Sequence, residues 1–163
     1  MQLMKSFREY VEKLEACGEI VPVTKEVDWN LEMSAITRHA YDLPSAAPLF
    51  KNIKDCTPGF EVLGAPVGLS PDKEHPFKRV ALSLGLPIDT SAPGIVKAWS
   101  ELADVTPIPP REVETGACKE NKLFGKDVDL TKLPVPLIHY GDGGRYINTY
   151  GIFIARTPDG SWV

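Results

Sequence analysis

Three histidines, one glycine-rich turn and a scatter of carboxylates are the groups in this chain whose types and spacing could support chemistry. His39, His75 and His139 could titrate near neutral pH or ligate a metal. None belongs to an H-x-x-H or H-E-x-x-H pattern, so the spacing sets no pair of imidazoles on one helix face. His39 falls on a predicted helix face and reads as a core or surface residue. His75 sits in a predicted loop and reads as solvated. His139 ends the apolar run Val135-Pro136-Leu137-Ile138, and the expectation is a structural role with its ring satisfied by a backbone carbonyl.

Gly141-Asp142-Gly143-Gly144 could cradle a phosphate through backbone N–H groups. It is not G-x-G-x-x-G and opens no helix, so the usual anion site is missing. A tight turn is expected, with Arg145 either an exposed charge or an anion contact. Asp127, Asp129, Asp142 and Asp159 all fall in predicted turns, where aspartate bonds nearby backbone. Lys119-Glu120-Asn121 reads as a solvated loop or as a clamp between two units. No Ser-His-Asp arrangement and no nucleophile elbow is present. Taken alone, the residues spell no complete active site.

The elements that must position these groups follow from periodicity. Ser6-Phe7-Arg8-Glu9 reads as a capping box, and Phe7, Tyr10, Val11 and Leu14 form a helical stripe that Gly18 ends in a left-handed cap. Glu19 to Val27 has strand character, with Pro22 pointing to an edge or a bulge. Asn30 is expected to cap a helix reaching Tyr41, with Leu31, Ala35, Ile36 and His39 on one face. Pro48 to Ile53 and Phe60 to Leu63 read as short strands, and 64–72 as loop. Phe77 to Leu84 and Pro93 to Ala103 are helical by pattern, the second with Ile95, Val96, Trp99 and Leu102 along one side. Glu112 to Cys118 reads as a strand, and Asp127 to Leu130 as a turn or helix start. Arg145 to Arg156 is rich in Tyr, Ile, Phe and Thr, a strand signature, and Pro158-Asp159-Gly160 supplies turn chemistry. A long strand with only Ser161 to Val163 beyond its turn lacks most of a hairpin partner, so either strands elsewhere in the chain cover it or, the favoured expectation, the natural chain continues.

Composition sets the outer bounds. With 163 residues, 43% hydrophobic and 25% charged, the chain can bury a core as one domain or one domain plus part of another. A net charge of −4 without a basic run gives no electrostatic footprint for nucleic acid or for an anionic membrane. Cys17, Cys56 and Cys118 are far apart and odd in number, which favours reduced thiols over disulfides or a zinc knuckle. The N-terminus has no apolar signal core and no span-length apolar run occurs, so the expected location is cytoplasmic.

An ordered set of phrases resembles the N-terminal part of the UbiD family of decarboxylases, the ferulic/cinnamic acid decarboxylase-like branch in particular. The phrases include Asn30-Leu-Glu-Met-Ser-Ala-Ile-Thr-Arg, Gly116-Ala-Cys-Lys-Glu-Asn, Leu130-Thr-Lys-Leu-Pro-Val-Pro-Leu-Ile-His and Gly143-Gly-Arg-Tyr-Ile-Asn-Thr-Tyr-Gly. The resemblance implies an α+β fold: an N-terminal α/β domain over 1–110, then the first strands of a flavin reductase-like split β-barrel over 111–163. It implies reversible, non-oxidative decarboxylation of aromatic or α,β-unsaturated acids with prenylated FMN, a divalent metal such as manganese, and potassium. It also implies a homo-oligomer when the enzyme is complete. Thr149 and Tyr150 are the positions expected to approach the flavin, with a barrel-wall pair the plainer reading. The family's metal-ligand asparagine and its acid-base residues would lie beyond Val163, so no catalytic or metal residue is assigned here and the chain alone is expected to be inactive. Two other readings stay open: an assembly subunit for a separate catalytic chain, and a small flavin-binding protein.

Overall fold

The computed structural model describes residues 4–106, 108–109, 111–148, 151 and 155–162. The architecture is α+β. Helix α1 (Phe7–Ala16) leads into strand β1 (Ile20–Val23), helix α2 (Glu32–Asp42) and strand β2 (Ala47–Phe50). Strand β3 (Val62–Leu63), helix α3 (Lys78–Ser83) and helix α4 (Ala92–Glu101) follow. The described chain beyond α4 holds short 3-10 turns at Leu102–Asp104, Ala117–Lys119, Gly125–Asp127 and Leu130–Lys132.

Local chemistry explains the start. The Ser6 hydroxyl accepts the Glu9 N–H at 3.2 Å, while the Glu9 carboxylate accepts the Lys5 N–H at 2.7 Å. That is a capping box shifted one residue outward, since Lys5 takes the place Ser6 would have. Gly18, at φ 70°, closes α1, and Glu19 N–H reaches back to the Leu14 carbonyl at 2.8 Å. A side chain there would strain the left-handed backbone.

β2 lies between β1, which it pairs in parallel, and β3, which it pairs antiparallel. α2 is the crossover that parallel pairing demands. All four residues of β2 are buried, as a central strand covered on both faces must be. β1 is an edge, where Pro22 costs no ladder bond. Val27 extends the contact as an isolated bridge to Ile53.

Val27, Met33, Phe50 and Ile53 form the core, with Val23, Trp29, Ile36, Cys56 and Val62 packed around them. Gly64 is where β3 leaves the sheet close beneath α2. A Cβ there would sit 2.6 Å from Thr37 Oγ1 and 3.0 Å from Pro48 Cγ. Gly64→Ala is therefore expected to lower stability by about 1–3 kcal/mol, the usual cost of forcing atoms into packed space. The midpoint of urea unfolding measures it.

Several expectations are corrected. Asn30 does not cap α2. The cap residue is Leu31 at φ 69°, and Asp28 organises the turn by accepting the Asn30 N–H at 2.8 Å. The Lys54 ammonium, and after it the Asn30 N–H, holds the Asp28 carboxyl below the usual carboxylate range. The inward face of α2 runs through Met33, Ile36 and Ala40, while Ala35 and His39 are exposed. Glu112 to Cys118 forms no strand; Ala117–Lys119 is a 3-10 turn. The strand expected at Arg145 to Arg156 falls partly on 149, 150 and 152–154, outside the described residues, and the described ones there are irregular. The Thr157–Gly160 turn forms as expected, with Gly160 at φ 71° donating to the Thr157 carbonyl at 2.8 Å. No residue of α4 is buried, and its stripe faces outward, with Val96 at 69% and Trp99 at 63% exposure.

Candidate functional site

A cleft of 680 Å³ opens between α2, the Gly64–Pro66 turn after β3, and the segment 136–140. Ser34, Thr37, Arg38 and Tyr41 face it from α2, and Ile138 and Tyr140 close it from the other side. Its lining is mainly apolar with a few polar groups at the rim, the ordinary character of a small-molecule pocket. Arg38 at the rim pairs with Asp42, Nε to Oδ1 at 2.8 Å.

His139 also lines the cleft. Its ring is not satisfied by a backbone carbonyl. The side chain is 76% exposed, with Nδ1 3.5 Å from Asp142 Oδ2, and the His139 N–H donates to that same oxygen at 2.9 Å. The glycine-rich stretch is a tight turn, closed by Asp142 N–H to the His139 carbonyl at 3.0 Å. His75 stands apart, Nδ1 3.0 Å from Asp72 Oδ2, and its hydrogen bond leads in holding the Asp72 carboxyl below its usual range. His39 is exposed on α2. The structure thus brings together none of the three histidines.

The outer wall of the cleft is held by a strap. Leu137 N–H donates to the Trp29 carbonyl at 3.0 Å, and the Leu137 carbonyl accepts the Ser34 hydroxyl at 3.1 Å. Thr57 N–H donates to the Lys132 carbonyl at 3.0 Å. Arg145, expected as an exposed charge or anion contact, is neither. Its Nε donates to Val135 O at 2.6 Å, Nη2 to Leu133 O at 2.7 Å and Nη1 to Thr131 O at 3.2 Å. The guanidinium lies 4.3 Å over the Trp29 ring, a cation–π contact.

A buried polar cluster at the other end of the sheet escaped sequence reasoning altogether. Arg79 is fully buried and Glu19 and Ser70 nearly so, at 0%, 2% and 2% exposure. Arg79 donates to Gly68 O at 2.9 Å, Leu69 O at 2.9 Å and Ser45 O at 2.7 Å, and its Nη1 lies 3.4 Å from Glu19 Oε2. Ser70 Oγ donates to Glu19 Oε1 at 2.7 Å. Burial pulls the Arg79 pKa down and the Glu19 charge pushes it back up. Every partner is internal, so the cluster holds the 64–70 loop rather than a substrate. The sequence shows only a Lys78-Arg79 pair in a short helix, with no sign of which one turns inward.

Tyr10 shares its hydroxyl proton between Pro66 O at 2.6 Å and Arg79 O at 3.1 Å. Burial pushes its pKa from 10.0 to about 12. The folded state keeps the proton longer than the unfolded chain, so this contribution is complete below pH 10 and is lost as pH rises toward about 12. Stability is expected to fall over that window, less steeply in Tyr10→Phe, as followed by denaturant midpoints at successive pH values.

Among the described residues no three His, Cys, Asp or Glu side chains converge to hold a metal ion. The cleft's rim guanidinium, Arg38, is engaged by Asp42. The described residues therefore do not fit a divalent metal with a flavin phosphate, and no chemical step is assigned to them. Thr149 and Tyr150 lie outside the described residues. No helix among the described residues is long and apolar enough to cross a membrane.

The profile of the 3-octaprenyl-4-hydroxybenzoate carboxy-lyase N-terminal domain matches residues 11–99. That of the 3-octaprenyl-4-hydroxybenzoate carboxy-lyase Rift-related domain matches 111–163. Pyrrole-2-carboxylic acid decarboxylase of Pseudomonas aeruginosa is 48% identical over 156 residues, 96% of this chain and 32% of that protein. Ferulic acid decarboxylase 1 of Saccharomyces cerevisiae is 37% identical over 159 residues, again 96% and 32%. Among solved structures, the open form of Sedimentibacter hydroxybenzoicus vanillic acid decarboxylase (ShVdcCD) with truncated ShVdcD superposes with a TM-score of 0.74 at 30% identity, over 89% of this chain and 30% of that one. An evolved dimeric form of the UbiD-class enzyme HmfF from Pelotomaculum thermopropionicum, in complex with prFMN, gives 0.69 at 30% identity, over 98% and 34%. The chain spans about a third of the length of these relatives.

Proposed function

Because this chain belongs to the UbiD family of carboxy-lyases, we propose that it forms the N-terminal part of a reversible, non-oxidative decarboxylase acting on aromatic or α,β-unsaturated acids. Residues 1–110 make up an α/β domain and 111–163 open a split β-barrel that carries the cofactor. Loss of CO2 leaves an electron pair that needs a sink, which is the chemistry prenylated FMN supplies. Thr149 and Tyr150 contact that flavin, while a divalent metal such as manganese, and potassium, are held by residues outside this sequence. The complete enzyme is a cytoplasmic homo-oligomer, and these 163 residues alone are inactive.

The observation that carries the reading is the similarity to a decarboxylase at 48% identity, running through 96% of the chain. The outward apolar stripe of α4 supports the presence of more protein against it, since an apolar patch of this kind marks a contact. A second reading, an assembly chain docking on a separate catalytic chain, draws on the same stripe and on the ShVdcCD neighbour, whose structure includes ShVdcD.

The test compares the 163-residue polypeptide with the whole reading frame that carries it, each supplied with prenylated FMN, manganese and potassium. CO2 release is measured from pyrrole-2-carboxylate, cinnamate and ferulate. The short polypeptide is expected to release none and to retain no flavin absorbance, and the whole frame to release CO2 from at least one acid. CO2 from the short polypeptide would overturn inactivity alone. Silence from the loaded whole frame on all three acids would overturn the decarboxylase reading.

A further inference from the structure

We propose that Arg145 is a positioning residue. It latches the region matched at 111–163 onto the region matched at 11–99, and so fixes where the cofactor-bearing part sits against the N-terminal unit. The inference rests on the decarboxylase reading for its functional half and on geometry for the rest.

The strap 131–137 is rich in proline, and Pro134 and Pro136 have no N–H with which to join a ladder. Its hydrogen bonds to the N-terminal unit gather mainly at one end, where Leu137 bridges Asn30 by donating to Trp29 and accepting from Leu31 and from Ser34; before that only Thr57 to Lys132 and the Cys56 thiol to Leu133 tie the strap down. Arg145 compensates from the other side. Its planar fork gathers the carbonyls of Thr131, Leu133 and Val135, three alternate residues of the strap, at 3.2, 2.7 and 2.6 Å. The same guanidinium sits 4.3 Å over Trp29, the residue whose carbonyl receives Leu137. Trp29 in turn packs against the core around Phe50. One side chain thus ties three points of the strap to a ring anchored in the sheet core. A lysine cannot replace it: an ammonium is a point charge that neither forks to three carbonyls nor stacks as a plane.

The experiment uses the whole reading frame with Arg145→Lys and Arg145→Met, and Leu14→Ala as a control for general destabilisation in α1. Amide hydrogen exchange is followed at Leu137 and Thr57, and prenylated-FMN affinity and kcat/KM are measured alongside. Both Arg145 variants are expected to exchange at least tenfold faster at Leu137 and Thr57, with the β2 amides unchanged, and to bind flavin at least tenfold more weakly. Added guanidinium should recover part of the flavin affinity in Arg145→Met. Leu14→Ala should lower the melting temperature and leave flavin affinity as it was. Unchanged exchange at both amides would overturn the latch while leaving the decarboxylase reading intact. Faster exchange with wild-type flavin affinity and kcat/KM would overturn the positioning role. A wild-type protein that binds no flavin would sink the decarboxylase reading and the functional half of the latch, with the exchange data still deciding the structural half.

Discussion

Arg79→Met is expected to destabilise the fold by about 3–5 kcal/mol, the range for removing one partner of a buried ion pair. Methionine fills most of the volume, so the loss is electrostatic rather than a cavity. Glu19 would remain buried at 2% exposure with its main cation gone, and Lys78 at 3.6 Å is only a partial substitute. The carbonyls of Ser45, Gly68 and Leu69 would lose their donor as well. Unpaired buried acceptors carry their own penalty of roughly 1–3 kcal/mol. Urea unfolding reads the loss. Adding Glu19→Gln should recover part of it, because the stranded charge is then removed. A single variant as stable as the wild type would show that this cluster is wet or loosely packed.

Phe50→Ala is the second large effect, about 3–5 kcal/mol for an aromatic truncated in a packed core. Phe50 is fully buried at the end of the central strand, against Val27, Met33 and Ile53. Its edge also approaches Gly64, where an added Cβ would lie 3.2 Å from the ring. The loss should reach further than the sheet. Trp29 rests on this cluster, and Arg145 rests on Trp29. The variant is therefore expected to change Trp29 fluorescence and to loosen the 131–137 strap, seen as faster exchange at Leu137, beyond its drop in unfolding free energy. Phe50→Leu, which keeps most of the volume, should show a small fraction of both changes.

Elements whose signals are local were legible in the sequence. Ser6, Glu9 and Gly18 delimit α1 through backbone bonds within a few residues; the structure keeps Ser6 as the cap and Gly18 as the stop, while Glu9 takes the Lys5 N–H in place of that of Ser6. Pro22 at an edge and the turn before Gly160 follow from proline and glycine stereochemistry. The cap of α2 was not legible, because Asn30 has the residue type of a cap while a left-handed Leu31 has no signature. The family was legible as ordered phrases, which the two matched profiles bear out. The roles of Arg79 and Arg145 were not. A sequence shows that a residue is charged but not which carbonyls a distant loop will bring to it. Arg79 meets residues 10 and 11 positions away in a loop, and one 34 positions away.

An unguarded outer strand is a template on which foreign strands can assemble. β1 offers only four residues at that border, and Pro22 among them has no amide proton to lend. An incoming strand would therefore meet a gap in the row of donors it needs, two residues into a short border.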